Sequence, residues 1–264
     1  MCDFLNRMIG TGYRFIDVAK KMMLRCRLKE NKVCSRSRFI ISYFINRGVE
    51  LSESILILIK ANRFVDSALL LRSLWELGID ADYIFSKTEI KEINAIKYLL
   101  NQYKSQITLL SRNIEECEAA GLKAVERIKE KKDKLEKEQN ALEKEYKVNN
   151  WKWPHISIRA GDSEQWVVRQ AYKQIYTYLC SIEHHDISFG QLYADDKKCE
   201  PLKEITHSTL IRPELTIFMC RAILLVIMKT FNEEFGQEWE GILKGLEEQH
   251  DMEYEEMKKE DGIV

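Results

Sequence analysis

Arg72 and Glu76 are the residues whose types and spacing first suggest chemistry. They lie four apart in FVDSALLLRSLWELGIDADY, residues 64–83, so on a helix their side chains meet. At about 100° per residue they share a stripe with Val65, Ala68, Leu69, Ile79 and Tyr83. A charged pair inside an apolar seam loses roughly several kcal/mol of hydration per ion unless partners compensate, so another part of the fold is expected to reach it. A second group stands in YTYLCSIEHHDIS, residues 176–188, which places Tyr176, Tyr178, Cys180, Ser181, His184, His185 and Asp186 near a helix C-terminus. Together the two segments offer an arginine that can hold an anion, a carboxylate that can orient it and histidines that can exchange protons.

Helical spacing leaves two alignments open. Tyr176, Cys180 and His184 form one four-residue series, and Ser181 with His185 forms the other. His185 falls nearer the apolar stripe if the helix stays regular. Each piece also has a plain structural role. Arg72 and Glu76 can tie helices through backbone carbonyls or the Tyr176 hydroxyl, and one histidine can serve as a hydrogen-bonded cap. Cys180 reads as a small core residue, since a helix C-terminus disfavours a thiolate.

The elements that must position these groups are helices. The chain of 264 residues has 3 Pro and 11 Gly against 45% hydrophobic and 31% charged residues, which favours long helices over a sheet. The expected fold is all-α, a single antiparallel helical bundle over residues 1–264. Helices are expected over 3–29, 35–61 (with a bend at Gly48), 64–83, 87 onward, 164–184, 206–232 and 237–259, with a loop over 186–204. Residues 115–147 (EECEAAGLKAVERIKEKKDKLEKEQNALEKEYK) are expected to form a charged helical arm or hairpin. Ile128, Leu135 and Leu142 there recur every seventh residue, a half-formed heptad that suits a protein partner or a homodimer. Trp151 and Trp153 should pin the returning chain to the body. Residues 245–264 read as an acidic tail.

The formal charge of -1 excludes a global field that would draw nucleic acid or anionic lipid. Locally, Lys20, Lys21, Arg25, Arg27, Lys29, Lys32, Arg36 and Arg38 make the N-terminal fifth basic, and Glu247, Glu248, Asp251, Glu253, Glu255 and Glu256 make the C-terminal end acidic. These read as complementary helix faces, or the basic strip as a phosphate contact. The 7 scattered cysteines, with no C-x-x-C, suggest reduced thiols in a cytoplasmic protein. Asp3 and Arg7 interrupt any signal core, and the apolar run 222–228 is far short of the roughly 20 residues of a membrane span. His155, His207 and His250 are isolated, and no metal spacing, Gly-rich phosphate loop or G-x-S-x-G occurs. Neither a metal nor another cofactor is expected.

RSLWE in an early helix, a Trp before a late one and a later Tyr-x-x-Leu-[Ser/Cys]-x-x-x-His segment resemble a family of bacterial helical proteins catalogued as a domain of unknown function. The resemblance spans roughly residues 40 to 230. It maps onto Arg72, Glu76, Tyr176, Leu179 and His184, with Cys180 where Ser is usual; a shift by one restores Ser181 and His185 but loses the Tyr. The charged arm is long for the family. More loosely, the pattern resembles HEPN-type proteins of bacterial defence and toxin systems, many of them metal-independent ribonucleases. Their signature, an Arg followed four to six residues later by His on one helix, does not occur here. An Arg and a His would have to meet from two helices.

Two functions are therefore expected. In the first, the chain is a HEPN-like RNA-cleaving or RNA-binding effector. Arg72 binds phosphate, Glu76 orients it, His184 or His185 is the acid/base, and Tyr176 and Ser181 touch substrate. In the second it is a non-enzymatic interaction protein whose Arg–Glu–His network locks the bundle.

Overall fold

The computed structural model describes residues 3–29, 35–122, 125–148, 150–163, 165, 168–169, 172, 176, 179, 194–195, 200–201, 212–236 and 238–260. The chain is all-α, as its composition predicts. Its described helices are α1 (Asp3–Lys29), α2 (Arg36–Lys60), α3 (Phe64–Phe85), α4 (Lys91–Ala119), α5 (Val125–Tyr146), α6 (Ile156–Gly161), α7 (Pro213–Phe235) and α8 (Glu240–Glu260). Within the expected 186–204 loop, Ala194–Asp195 and Glu200–Pro201 form a two-residue antiparallel ladder. No described helix is long and apolar enough to cross a membrane. Two compact units result: Met1–Cys34 with Arg38–Ser86 and Ile156–Val264, and Ser35–Ser37 with Lys87–His155.

In the first unit α7 packs against α1, α3 and α8, and α3 also meets α6. α7 is buried nearly all round, from Ile217 through Arg221, Ile223, Leu224 and Ile227 to Phe231, as its apolar sequence predicts. It begins at Pro213, whose fixed φ and missing N–H suit a first helical position. α2 runs unbroken through Gly48. Asn62, in a left-handed turn at φ 56°, separates α2 from α3 where the sequence places a break.

α3 turns Leu71, Leu74, Trp75, Gly78 and Ile79 into the core. At Gly78 it approaches α7 so closely that a Cβ would lie 2.6 Å from Ile223 Cγ2. That methyl is branched at Cβ and cannot swing aside by itself.

A second knot lies between α1, α7 and α8. Arg221 is 1% exposed and its Nη1 donates to Glu253, whose other oxygen accepts the Thr11 hydroxyl at 2.8 Å. The guanidinium also stands 5.8 Å from the Phe15 ring centroid. His250, isolated in the sequence, is buried here and stacks on Phe218 with ring centroids 4.0 Å apart. Burial, helped by the Arg221 charge, pulls its pKa from 6.5 down to about 3. Residues 245–260, acidic in sequence, thus belong to α8, with Leu246, His250, Glu253 and Met257 facing inward. On their outer side Arg7 pairs with Glu256 and Arg14 donates to Gln249 at 2.9 Å. Of the basic stretch, Lys20, Arg25 and Arg38 pair with Glu53, Glu238 and Glu234, none of them in the acidic set.

The second unit is a helical hairpin. Gly121, at φ 65°, carries the chain out of α4, and Leu122 N–H closes the end on Cys117 O at 3.0 Å. Leu142 is buried with Ile96 and Leu100 beneath Leu99, Tyr103, Tyr146, Val148 and Trp151, while Ile128 and Leu135 are half-buried. Most of the heptad is thus covered inside the chain. Trp151 donates to Glu143 at 2.8 Å and Trp153 meets Tyr98 edge-on, so both tryptophans pack within this hairpin, where the sequence had suggested the body. Glu92 accepts the backbone N–H groups of Arg36 and Ser37 at 2.9 and 3.0 Å.

Two outcomes are expected. Gly78→Ala gains about 1 kcal/mol of helix propensity but overpacks α7 at a cost of about 1–3 kcal/mol. Urea unfolding should show a net loss, partly restored by adding Ile223→Leu, which removes the branch; a stabilised Gly78→Ala chain would refute the close approach. For His250, the folded imidazole stays neutral to about pH 3 while the unfolded one protonates below 6.5. Its contribution is full above pH 6.5 and falls on acidification by about 1.4 kcal/mol per pH unit. The stability gap between the wild type and His250→Phe should therefore shrink from about pH 7 to about pH 4. A gap independent of pH would show that folding does not exclude the proton.

Candidate functional site

α3 carries its charged residues in a line. Arg72, Glu76 and Asp80 follow at four-residue intervals, so one flank of the helix holds them in series. That flank borders the buried face and does not lie within it. The Arg72 side chain is 19% exposed and that of Glu76 is 40% exposed. The sequence stripe had placed the pair inside the seam. The structure rotates it to the margin because Leu71, Leu74, Trp75 and Gly78 fill the centre.

Tyr176 closes over the pair. Its hydroxyl donates to Glu76 Oε1 at 2.7 Å and accepts from Arg72 Nη2 at 3.3 Å, and Arg72 Nη2 lies 3.2 Å from Glu76 Oε1. The Arg72 guanidinium stands 5.4 Å from the Tyr176 ring centroid, and Tyr172 stacks on that ring at 4.9 Å. A salt bridge as exposed as Arg72–Glu76 contributes about 0.5 kcal/mol by itself. The Tyr176 contacts are what fix its geometry.

At the deeper end Arg159 of α6 pairs with Asp80, and both side chains are largely buried. Burial pulls the Arg159 pKa down to about 10, and the charges of Glu76, Tyr176 and Tyr172 oppose that shift. One turn past Ile79 on the same helix, Tyr83 is pushed up by burial and by Asp162. Arg72 and Arg159, Glu76 and Asp80, and Tyr172 and Tyr176 give the centre two guanidinium groups, two carboxylates and two tyrosines.

Of the expected site residues, Arg72, Glu76 and Tyr176 come together as anticipated. Ser181, His184 and His185 lie outside the described residues, as does Cys180. The sequence reading missed Asp80, Arg159 and Tyr172. Asp80 extends the four-residue series by one step and was legible; Arg159 comes from a six-residue helix with no periodicity to mark it. Among the described residues no three His, Cys, Asp or Glu side chains converge to hold a metal ion. What the described groups can do is bind and orient an anion: each guanidinium offers a fork of N–H donors. Proton transfer would need a group beyond them.

These features define an all-α protein with a paired arginine–carboxylate centre on one helix margin. Residues 38–200 match the model of the family of unknown function DUF5677, and the chain belongs to that family. No curated protein and no solved structure matches it.

The Asp80–Arg159 pair gives a direct test of the centre's burial. Asp80→Ala leaves a buried guanidinium without its carboxylate and should lower stability by about 3 kcal/mol. Asp80→Leu with Arg159→Met should stay within about 1 kcal/mol of the wild type. Urea unfolding of the three chains separates the cases; equal losses in both variants would mean the pair is not desolvated.

Proposed function

We propose that this protein is a HEPN-like, metal-independent RNA-cleaving or RNA-binding effector of a bacterial defence or toxin system. The observation that carries the reading is the Arg72 guanidinium, fixed by Glu76 and Tyr176 at the margin of α3, where its side chain keeps 19% exposure. A structural pair gains nothing from such exposure, whereas an anion needs it. In this reading Arg72 holds the scissile phosphate, Glu76 and Tyr176 hold Arg72, and Arg159 adds positive charge behind it. Ser181 contacts substrate. His184 or His185 takes the proton from the ribose 2′-hydroxyl as the 2′-oxygen bonds to phosphorus. The bond to the 5′-oxygen breaks, and the imidazolium returns the proton to that leaving group. The products are a 2′,3′-cyclic phosphate and a 5′-hydroxyl end, with no external oxidant or metal required.

A second reading is favoured by charge balance. Each guanidinium already faces a carboxylate, so the network is complete without a ligand. In that reading the protein is a helical interaction or scaffold protein, and the same residues lock α3 to Tyr176 and α6.

The test is RNA cleavage by the purified chain in EDTA, with mixed cellular RNA and tRNA as substrate. His184→Ala/His185→Ala and Arg72→Met/Glu76→Leu run beside it, and circular dichroism confirms folding. Cleavage by the wild type alone is expected. Silence from all three favours the interaction reading, and equal cleavage by all three places the activity elsewhere.

A further inference from the structure

Charge is handled differently by the two helices of the hairpin. On α5 acidic residues alternate with the lysines and engage three of the six: Lys129 by Glu118 at 2.8 Å, Lys132 by Glu136 at 3.5 Å and Lys134 by Glu138 at 3.9 Å. On α4 the stretch from Ile93 to Ile114 holds Lys97, Lys104 and Arg112 and no acidic residue. Among the described residues none of these three cations has an ion-pair partner. In a chain with 42 acidic against 41 basic residues, such a stretch is not the average composition.

Helical spacing gathers the three on one face with Asn101, Ser105 and Thr108, roughly a third of a turn from the inward-facing Ile96 and Leu100. Asn101, Lys104, Ser105, Thr108, Leu109 and Arg112 line a shallow depression there. The cations are separated by about 10 and 12 Å along the axis, far enough to meet separate anionic groups. A row of spaced charges without a central apolar anchor suits a polyanion better than a protein surface, whose docking core needs buried aromatic or aliphatic groups. Among the described residues of this stretch, Ile93 and Leu109 are the large exposed hydrophobic side chains, and they stand at opposite edges of the face.

We propose that this α4 face binds the phosphate backbone of RNA. Lys97, Lys104 and Arg112 neutralise phosphates, and the polar side chains between them meet the sugar. The Thr108 hydroxyl already donates to Lys104 O at 2.9 Å, so its oxygen is left as an acceptor. A phosphate cannot donate to it, but a ribose 2′-hydroxyl can, and this distinguishes RNA from DNA. The inference rests on the RNA reading for the identity of the polymer, and binding is measured separately from cleavage.

The experiment is fluorescence anisotropy of a labelled RNA oligonucleotide with the full chain carrying His184→Ala/His185→Ala, which keeps the RNA intact. Salt is varied from about 50 to about 200 mM in EDTA. Lys97→Gln/Lys104→Gln/Arg112→Gln, added to that chain, should weaken binding at low salt more than about tenfold. It should also reduce the slope of log K against log salt by about 2, near 0.7 for each lost phosphate contact. Lys129→Gln/Lys132→Gln/Lys134→Gln removes the same charge from carboxylate-engaged positions and should change affinity less than about threefold. Equal weakening in both variants would overturn the proposal by reducing it to net charge. An unaffected α4 variant, no RNA binding by the parent chain, or equal affinity for DNA of the same sequence would each overturn it as well. Cleavage without an α4 effect would leave the catalytic reading standing alone, and an α4 effect without cleavage would leave the binding face standing alone.

Discussion

The close approach of α3 to α7 at Gly78 and Ile223 governs the rest of the first unit. A helix has one centre to its buried face, and here it is set by Leu71, Leu74, Trp75 and Gly78. Every other residue of α3 takes its environment from its angle to that line. Arg72, Glu76 and Asp80 stand beside it, deep enough to need partners and shallow enough to be reached. Had the contact centred on residue 76, the same charged series would have been sealed in the core.

Burial then decides what each charged knot is suited to do. Arg221 and Glu253 are enclosed by α1, α7 and α8, with an aromatic ring on one side and a neutral histidine nearby. No solute reaches that pair without unfolding, so it acts by holding three helices in one arrangement. Its neighbour Cys220 follows the same logic: burial pushes its thiol up to about 11, which leaves it without thiolate reactivity. The Arg72 centre uses the same side-chain types with more exposure, and exposure permits exchange of one anionic partner for another. Chemistry separates the two knots less than solvent access does.

The sequence made the helices legible because few breakers and clear periodicity leave little else to form. It made Arg72, Glu76 and Tyr176 legible because four-residue spacing and an aromatic hydroxyl are local signals. It did not reveal the Arg221 knot. His250 and Glu253 are three apart, but their partner lies 29 or more positions earlier in an otherwise apolar helix, and only packing joins them. The heptad of α5 pointed to a partner, yet periodicity identifies a face to be covered and not what covers it. Here α4 of the same chain covers Leu142. α7 starts at Pro213, whose ring suits the first turn, and residues 206–211 of the expected helix lie outside the described residues.

Near-neutral total charge is a weak guide to electrostatics in such a chain. Opposite charges cancel in the sum wherever they lie, but they cancel physically only when closer than about 10 Å, the screening length at moderate salt. α1 meets that condition through Arg7–Glu256 and Arg25–Glu238, and α5 meets it through its own carboxylates. The acid-free stretch of α4 extends over about 30 Å of helix, longer than that screening length. Lys97, Lys104 and Arg112 there have no ion-pair partner among the described residues, so that charge is local, whatever the total. In the proposed reading a polyanion samples that local field, and so does a phosphate beside Arg72. The formal charge of -1 excludes attraction at long range while leaving both short-range faces intact.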